Sequence, residues 1–245
     1  MKAAEITDDL PTFQARYNPN TSELSLNEDD SIHAIKVLRL SSGSFCFTTD
    51  GKGGFWKTQI NQIDKTAQLQ IIESFPDFGE ANYQLRLVVG MIKHQQHWEW
   101  LLEKATEIGV SEIIPIYCKH TDKYVKINLL RSEKILWSAL KQCRRSRLPI
   151  LHNPITFIDW LNTEKDLTGC WLARQGAVPF SIHSSNPKFS TCIIGPEGDF
   201  SQEEIKKMKD VGFPTFSIGK NRLRTETAAF IALTYMNIAN NQHYS

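Results

Sequence analysis

The chain has 245 residues, of which 41% are hydrophobic and 22% charged, a composition typical of a globular protein with one large domain or two modest ones. Its 28 basic and 27 acidic residues leave a net charge of +1, so binding to nucleic acid has to rest on local basic patches. No apolar run approaches the roughly 20 residues that cross a bilayer, and the N-terminal segment lacks the apolar core of a signal peptide. The five cysteines are scattered without a C-x-x-C pair, which argues against a disulfide framework or a zinc site. We therefore expect a cytoplasmic protein that needs neither membrane nor metal.

The first seventy or so residues predict a small β-barrel. Period-two alternation favours strands at 22–26, 45–47 and 67–71, and the turn residues at 50–54 lead into a further strand at Phe55. One helix interrupts them, with caps and negative charge offered at 29–31 and its body at 33–39. A barrel is the natural closure for such short strands.

Beyond a linker at 76–82, strands and helices alternate, which predicts a mainly parallel sheet covered by helices. The spacing predicts helices at 98–108 with Gly109 as the stop, at 129–143, and at 156–161. A capping box at Ser201 opens a helix that ends at Gly212, and Thr225 caps the last helix, which runs to about Asn240. Strands are expected at 85–90, 113–117 and 170–173. The resulting domains are 1–75 and 82–245, an N-terminal barrel and an α/β domain.

The turn Gly195-Pro196-Glu197-Gly198 follows a short apolar strand and precedes the helix at Ser201. Gly195 lets a ligand approach the backbone, Pro196 stiffens the loop, Gly198 can adopt a positive φ, and Glu197 adds a carboxylate to the rim. Strand ends of this kind hold ligands in open α/β sheets. A plain tight turn between strand and helix is the alternative.

A second loop of the same layout runs from Ile218 to the helix at Thr225. Arg222 and Arg224 flank Leu223, and alternation along an extended turn would point both guanidiniums to one side. A surface arginine pair with a helix cap is the alternative. Two such loops, without a phosphate-loop or dinucleotide fingerprint, predict an unusual small-molecule site.

Basic residues form three further candidate patches. Arg144 and Arg147 belong to a run at 141–147 that suits phosphate, although cations there also complement a helix C-terminus. A loop at 119–126 could extend this patch through Lys119, His120, Lys123 and Lys126. His33, Lys36 and Arg39 share a helical spacing that equally describes a solvated helix face. Lys93, His94 and His97 follow a strand end, where they could reach a substrate.

These segments together resemble one known family. The motifs at 195–201 and 218–228 resemble the C-terminal signature of the ribosomal RNA small subunit methyltransferase E (RsmE) family, within the SPOUT superfamily. Segments 33–39, 50–51, 103–110 and 142–149, together with Lys93, resemble other parts of that family, so the likeness covers nearly the whole chain. Two positions depart from it: Asp199 replaces a second glycine, and Lys141 stands where an acidic residue often precedes the glutamine.

The resemblance implies a PUA-like β-barrel followed by a SPOUT α/β domain whose C-terminal segment forms a deep trefoil knot. It implies S-adenosyl-L-methionine bound at about 170–240 and a homodimer formed through the knotted domain. The implied reaction is methylation of N3 of a uridine in the decoding region of 16S ribosomal RNA, with small-subunit RNA or the assembled subunit as partner. A methyltransferase acting on another RNA and a non-catalytic RNA-binding assembly factor are the alternatives.

The chemistry of the implied reaction gives individual residues expected roles. Arg224 is expected to stabilise negative charge on the uracil carbonyls, and Glu226 or Glu197 to act as general base or orient the loop. The expected cofactor-binding residues are Leu172, Ala173, Gly195, Pro196, Glu197, Gly198, Ile218, Gly219, Asn221, Leu223 and Arg224. The expected RNA-binding residues are His33, Lys36, Arg39, Lys93, Arg144, Arg147 and Arg222.

Overall fold

Two compact units divide the chain in the computed structural model, which describes residues 9–18, 20–21, 23–122, 125–164, 167, 169–179 and 191–241. The first unit comprises Met1–Glu80 and Trp137–Leu148, and the second comprises Ala81–Leu136 and Pro149–Ser245. Ser22 and Lys123, which the sequence analysis placed in a strand and a basic loop, lie outside the described residues.

The first unit contains a closed barrel whose five described strands follow the order β1-β2-β5-β4-β3. Strands β1 and β3 close it as a parallel pair, and the other neighbouring strands are antiparallel. The predicted barrel is confirmed. Phe13, Leu24 and Ile60 are among its buried core residues. The strand bounds are β1 Thr12–Asn18, β2 Glu23–Leu26, β3 Phe45–Thr49, β4 Phe55–Ile63 and β5 Ala67–Ser74.

The helix between β2 and β3 begins earlier than predicted. Helix α1 spans Glu28–Ile32 and is capped by Asn27, whose side chain accepts a hydrogen bond from the Asp30 amide. The predicted cap at 29–31 is wrong, because those residues lie inside the helix and supply negative charge to its first turn. A π-helical turn, His33–Val37, follows directly, and Arg39 then takes a left-handed φ of 56°.

The second unit is a parallel sheet covered by helices, as predicted. Among the described residues it has seven strands in the order β12-β10-β11-β6-β7-β8, with β9 also paired to β7. All of these pairs are parallel. The strands are β6 Arg86–Gly90, β7 Glu112–Tyr117, β8 Ile150–Leu151, β9 Ile155–Thr156, β10 Cys170–Ala173, β11 Thr191–Ile194 and β12 Thr215–Phe216. The helices are α2 Gln95–Ile108, α3 Leu129–Cys143, α4 Phe157–Thr163, α5 Gln202–Asp210 and α6 Thr225–Asn241.

Helix ends follow their local chemistry with one exception. Gly109 terminates α2 with a left-handed φ of 103°, and Ser201 and Glu204 form the predicted capping box of α5. Thr225 begins α6, but its hydroxyl donates to the Gly195 carbonyl at 3.1 Å instead of capping the helix. The described helices include none that is both long and apolar enough to cross a membrane.

Sheet order brings three strand ends together. Strand β10 lies between β11 and β12, so the loops that follow Ala173, Ile194 and Phe216 leave from one edge of the sheet. Strand β6 on the far side of β11 ends at Gly90, where a Cβ atom would lie 2.3 Å from the Pro196 nitrogen. Only glycine at position 90 therefore lets the Gly195–Gly198 turn pack onto the end of β6.

Candidate functional site

A cavity of about 380 Å³ lies in the second unit at the ends of β10, β11 and β12. We call it the strand-end cavity. Its volume falls within the roughly 300–1,000 Å³ of small-molecule pockets. Its walls come from the three post-strand loops and the first turns of α6. The lining residues are Ala173, Arg174, Gln175, Ile194, Gly195, Pro196, Glu197, Asp199, Ser217, Ile218, Gly219, Asn221, Arg222, Leu223, Thr225 and Ala228.

Most residues that were expected to hold a cofactor line this cavity, but three do not. Leu172 is buried in the core at 2% exposure, Gly198 packs against His120, and Arg224 lines a neighbouring cavity. Arg174, Gln175 and Ser217 line the cavity although the sequence analysis did not select them. The same argument from strand ends would have found them, since each lies within two residues of the end of β10 or β12.

The geometry of the Gly195–Gly198 turn differs from the expected one. Asp199 has the left-handed φ, 63°, whereas Gly198 is not among the residues with positive φ. The Asp199 carboxylate accepts a hydrogen bond from the Phe200 amide at 2.7 Å, which suits an acidic residue to that conformation. A Cβ at Gly195 would meet the Phe200 ring at 3.1 Å, so a larger residue there would require a small shift of that ring.

His120, in the loop after β7, contacts this turn. Its Nδ1 lies 3.2 Å from the carbonyl oxygens of both Gly198 and Asp199. The neighbouring Lys119 amide donates to the Glu204 carboxylate at 2.9 Å. The sequence analysis treated His120 only as part of a basic patch, because nothing local links it to a turn that follows it by 78 residues.

Side-chain hydrogen bonds hold the second loop in place and leave some of its main-chain groups open. The Ser217 hydroxyl donates to the Gly219 carbonyl at 3.0 Å, and Gln175 donates to the Lys220 carbonyl at 3.1 Å. A Cβ at Gly219, whose φ is 149°, would have no atom within 4 Å. The main-chain groups of Ile218, Asn221 and Leu223 make no hydrogen bond to another described residue. They are therefore available to a ligand.

A second cavity of about 420 Å³, the arginine cavity, adjoins the first and shares Glu197, Arg222 and Leu223 with it. The Arg222 guanidinium donates to the Glu197 carbonyl at 3.1 Å, and Nη1 of Arg224 lies 3.3 Å from Nε2 of His97. Both guanidiniums thus face one cavity, as the alternation around Leu223 predicted. The lining residues are His94, His97, Glu197, Arg222, Leu223 and Arg224.

The two candidate bases occupy different environments. Glu197 is exposed and lines both cavities. Glu226 is 6% exposed, lines neither cavity, and has Oε1 3.4 Å from Nδ1 of His97. Their catalytic roles stay predictions.

The basic run at 141–147, within the first unit, is not one free patch. Arg145 is 4% exposed and pairs with Glu80 at 2.8 Å, and the same carboxylate accepts the amides of Ser146 and Arg147. The Arg147 guanidinium lies 2.6 Å from Asp77 but is half exposed. Arg144 lies over the Phe47 ring, 5.5 Å from its centroid, and 3.4 Å from Asp9. The run therefore mixes structural cations with accessible ones.

The remaining predicted RNA-binding residues are exposed. His33, Lys36 and Arg39 lie on the surface of the first unit in and after the π-helical turn. In the second unit, Lys93 is exposed and lies 3.4 Å from Asp122, and Arg222 is exposed at the two cavities. Over the described part of the chain, no cluster of three or more His, Cys, Asp or Glu residues could hold a metal ion.

Comparison with known proteins assigns both units to one family. Residues 79–237 match the RNA methyltransferase domain family, and residues 26–72 match the RNA methyltransferase PUA domain family. The ribosomal RNA small subunit methyltransferase E of Bacillus subtilis is 30% identical over 226 residues, which cover 86% of this chain and 88% of that protein. The chain belongs to the ribosomal RNA small subunit methyltransferase E family.

Solved structures agree with membership of the methyltransferase E family. A probable rRNA-methyltransferase from Porphyromonas gingivalis matches with a TM-score of 0.83 and 26% identity, over 96% of this chain and 100% of that one. A methyltransferase from Legionella pneumophila in complex with the bound cofactor SAM matches with a TM-score of 0.77 and 26% identity, over 92% and 95% of the two chains. The barrel is thus a PUA domain and the parallel sheet belongs to an RNA methyltransferase domain.

Proposed function

We propose that the chain transfers the methyl group of S-adenosyl-L-methionine to N3 of a uridine in the decoding region of 16S ribosomal RNA. The observation that carries the proposal is the strand-end cavity, whose second loop offers open main-chain groups beside an arginine-lined cavity. The Legionella relative that holds SAM supports the cofactor, and the names of the curated relatives support the substrate.

The residues of the strand-end cavity fit a nucleoside with a sulfonium group. The main-chain atoms of Ile218, Asn221 and Leu223 are suited to the adenine and ribose, since open N–H and C=O groups read the edges of such rings. The carboxylate of Glu197 supplies negative charge near a positively charged sulfur. Bound there, the cofactor supplies an electrophilic methyl group, and the loops contribute alignment of donor and acceptor.

N3 of uridine carries a proton and is a weak acid, so the protein has to manage charge at the uracil ring. As the proton leaves, negative charge spreads onto the two flanking carbonyl oxygens. A guanidinium directed at one of them stabilises that charge, as oxyanion-hole donors do. We assign this role to Arg224, which lines the arginine cavity without lining the strand-end cavity.

We further propose that residues 1–75 form the RNA-binding domain and residues 82–245 the catalytic domain. Exposed cations support phosphate binding by His33, Lys36 and Arg39 within residues 1–75. Arg144, which is partly exposed, and Arg147 add to them from the segment Trp137–Leu148, which belongs to the first compact unit. Lys93 and Arg222 are placed to add RNA contacts in the second unit. Ribosomal RNA as substrate makes the cytoplasm the proposed compartment.

Two further family properties are proposed for the second unit, a trefoil knot at about 170–240 and a homodimer. Helices α2 and α6 carry partly exposed large apolar residues, with Trp100 39% and Ile238 41% exposed and Trp100 packed against Phe230. These exposed apolar side chains are available to a second copy of the chain, which supports self-association. Sedimentation equilibrium of the intact protein tests the dimer, and a monomer mass at all concentrations would refute it.

The test of the proposed function is methylation of small subunits isolated from cells that lack this protein. Purified protein and the cofactor should produce 3-methyluridine in 16S RNA, detected by mass spectrometry of nuclease digests. A different methylated nucleoside or a different RNA would overturn the substrate assignment. If the protein neither methylates RNA nor binds S-adenosyl-L-methionine in calorimetry, it is not an enzyme of this kind, and the alternative of a non-catalytic assembly factor is favoured.

A further inference from the structure

His97 lies between an arginine and a buried glutamate at the edge of the arginine cavity. On one side of its ring, Nε2 is 3.3 Å from Nη1 of Arg224. On the other side, Nδ1 is 3.4 Å from Oε1 of Glu226. The His97 side chain is 31% exposed, whereas that of Glu226 is 8% exposed. The three residues come from the first turn of α2, the loop before α6 and the first turn of α6.

The neighbours of His97 fix the position of its proton. A guanidinium only donates hydrogen bonds, so Nε2 has to present a lone pair to Arg224. The ring proton therefore sits on Nδ1, which faces the Glu226 carboxylate. This tautomer leaves the nitrogen that faces the cavity basic.

Glu226 is built to stabilise a protonated His97. Its Oε2 is buried and has no hydrogen-bond partner among the described residues. Nδ1 of His97 is likewise buried and makes no hydrogen bond within the described chain, although the Glu226 carboxylate lies 3.4 Å away. A buried carboxylate without a close partner is costly, and an imidazolium at 3.4 Å would offset that cost.

We propose that His97 is the group that accepts the N3 proton of the substrate, with Glu226 as a positioning residue whose carboxylate faces Nδ1 and, together with Arg224, sets the tautomer. This inference rests on the proposed function. The N3–H bond breaks, its proton moves to Nε2 of His97, and its electron pair stays on N3. N3 uses that pair to bond the methyl carbon, whose bond to sulfur breaks with the electrons remaining on sulfur. The imidazolium then releases its proton to solvent.

The contact between Arg224 and His97 links substrate binding to proton transfer. While Arg224 donates to Nε2, the lone pair of His97 is occupied. When the guanidinium turns to a uracil carbonyl oxygen, that lone pair becomes free beside N3–H. Substrate binding itself therefore uncovers the base, and Glu226 does not have to reach the cavity.

The first experiment compares His97→Gln with wild-type enzyme on small subunits. Glutamine cannot carry the proton, so kcat should fall about 10²–10⁴-fold with little change in the KM of the cofactor. The control is His152→Gln, another histidine paired with a glutamate, whose Nε2 lies 3.1 Å from Glu112 at the start of β7. This control should keep wild-type kcat. A wild-type kcat in His97→Gln would overturn the proposal.

A substrate with a more acidic N3–H tests whether His97 acts as a base or only orders the cavity. RNA that contains 5-fluorouridine has a more acidic N3–H, so it depends less on a base. The kcat penalty of His97→Gln should shrink at least several-fold with this RNA. An equal penalty on both RNAs would show that His97 acts only through packing or through Arg224.

The tautomer is tested without turnover by NMR of protein labelled with ¹⁵N-histidine. The wild-type spectrum should show His97 protonated at Nδ1, and the double variant Arg224→Ala/Glu226→Gln, which removes both neighbours of the ring, should shift it towards the other tautomer. A proton on Nε2 in the wild-type protein would refute the assignment. If the wild-type enzyme methylates no uridine while the spectrum shows the Nδ1 proton, the proposed function has failed and only the geometry of His97 stands.

Discussion

Lys141 of α3 and Asp30 of α1 form an ion pair inside the first compact unit, although 111 positions separate them in the chain. The Lys141 ammonium lies 2.7 and 3.0 Å from the two carboxylate oxygens of Asp30. Asp30 is 5% exposed and also accepts the Gln14 amide at 2.6 Å. The lysine that departs from the family pattern thus neutralises a buried carboxylate of this chain.

Replacing Lys141 with methionine should destabilise the first unit by about 2–3 kcal/mol, because it leaves the Asp30 charge buried without its cation. Asp30→Asn should also destabilise, and the double variant should lose less than the sum of the two. Urea unfolding followed by barrel tryptophan fluorescence measures all three. Lys206→Met, at an exposed position of α5, is the control, and strictly additive losses would contradict the pair.

The left-handed backbone of Asp199 predicts an unusual order of stability among variants at this position. At φ 63°, glycine is unstrained and alanine is not, so Asp199→Ala should be about 1–2 kcal/mol less stable than Asp199→Gly. At Asp210 in the last turn of α5 the order should reverse, since alanine favours helix over glycine by about 1 kcal/mol. Thermal unfolding of the four variants tests this. Asp199→Ala at least as stable as Asp199→Gly would show that position 199 is not left-handed.

Much of the fold follows from local patterns in the sequence. Apolar runs, turn residues and the capping box at Ser201 were enough to predict the barrel, the parallel sheet and most helices. Strand β1 was missed because Phe13 and Ala15 give its alternation only a weak apolar signal. Strands β8, β9 and β12 have two residues each, too few to show a period.

The parts of the candidate site that lie at strand ends could be predicted from the sequence. The parts that depend on contacts between residues far apart in the chain could not. Both C-terminal loops were found because each follows an apolar strand. The contact of His97 with Arg224 spans 127 positions and has no local signature. The burial of Arg145 against Glu80 likewise depends on which parts of the chain the fold brings together.

Thiol labelling should distinguish Cys143 from the other cysteines. Burial raises the pKa of the Cys46, Cys118 and Cys192 thiols, so little thiolate is present at neutral pH. Cys170 is buried as well, whereas Cys143 is partly exposed. A disulfide reagent at pH 7.5 should modify Cys143 first, and Cys143→Ser should remove that rapid phase. Rapid labelling of a second thiol in the folded variant would contradict this burial.

Two arginines of the basic run should respond differently to substitution. Arg147 is half exposed and its pair with Asp77 is worth at most about 1 kcal/mol, so phosphate can replace the carboxylate. Arg147→Ala should weaken RNA binding and lower the slope of log affinity against log salt by about 1. Arg145→Ala should instead lower the unfolding temperature, because it leaves Glu80 buried without its cation. Filter binding over a salt series measures the slopes. An unchanged slope for Arg147→Ala would show that Arg147 does not contact the RNA.

Arg222 and Arg224 form a matched pair for separating cofactor binding from chemistry. Arg224 lines the arginine cavity but not the strand-end cavity, so Arg224→Ala should lower kcat about 10²–10³-fold and change the cofactor Kd by less than about threefold. Arg222 lines both cavities and holds the Glu197 carbonyl, so Arg222→Ala should mainly raise that Kd. Arg224→Lys should recover only part of kcat, because an ammonium lacks the planar fork of donors. Calorimetry gives Kd and single-turnover methylation gives the chemical rate. Equal losses of Kd and rate in Arg224→Ala would place its guanidinium on the cofactor and leave the uracil carbonyls without their proposed donor.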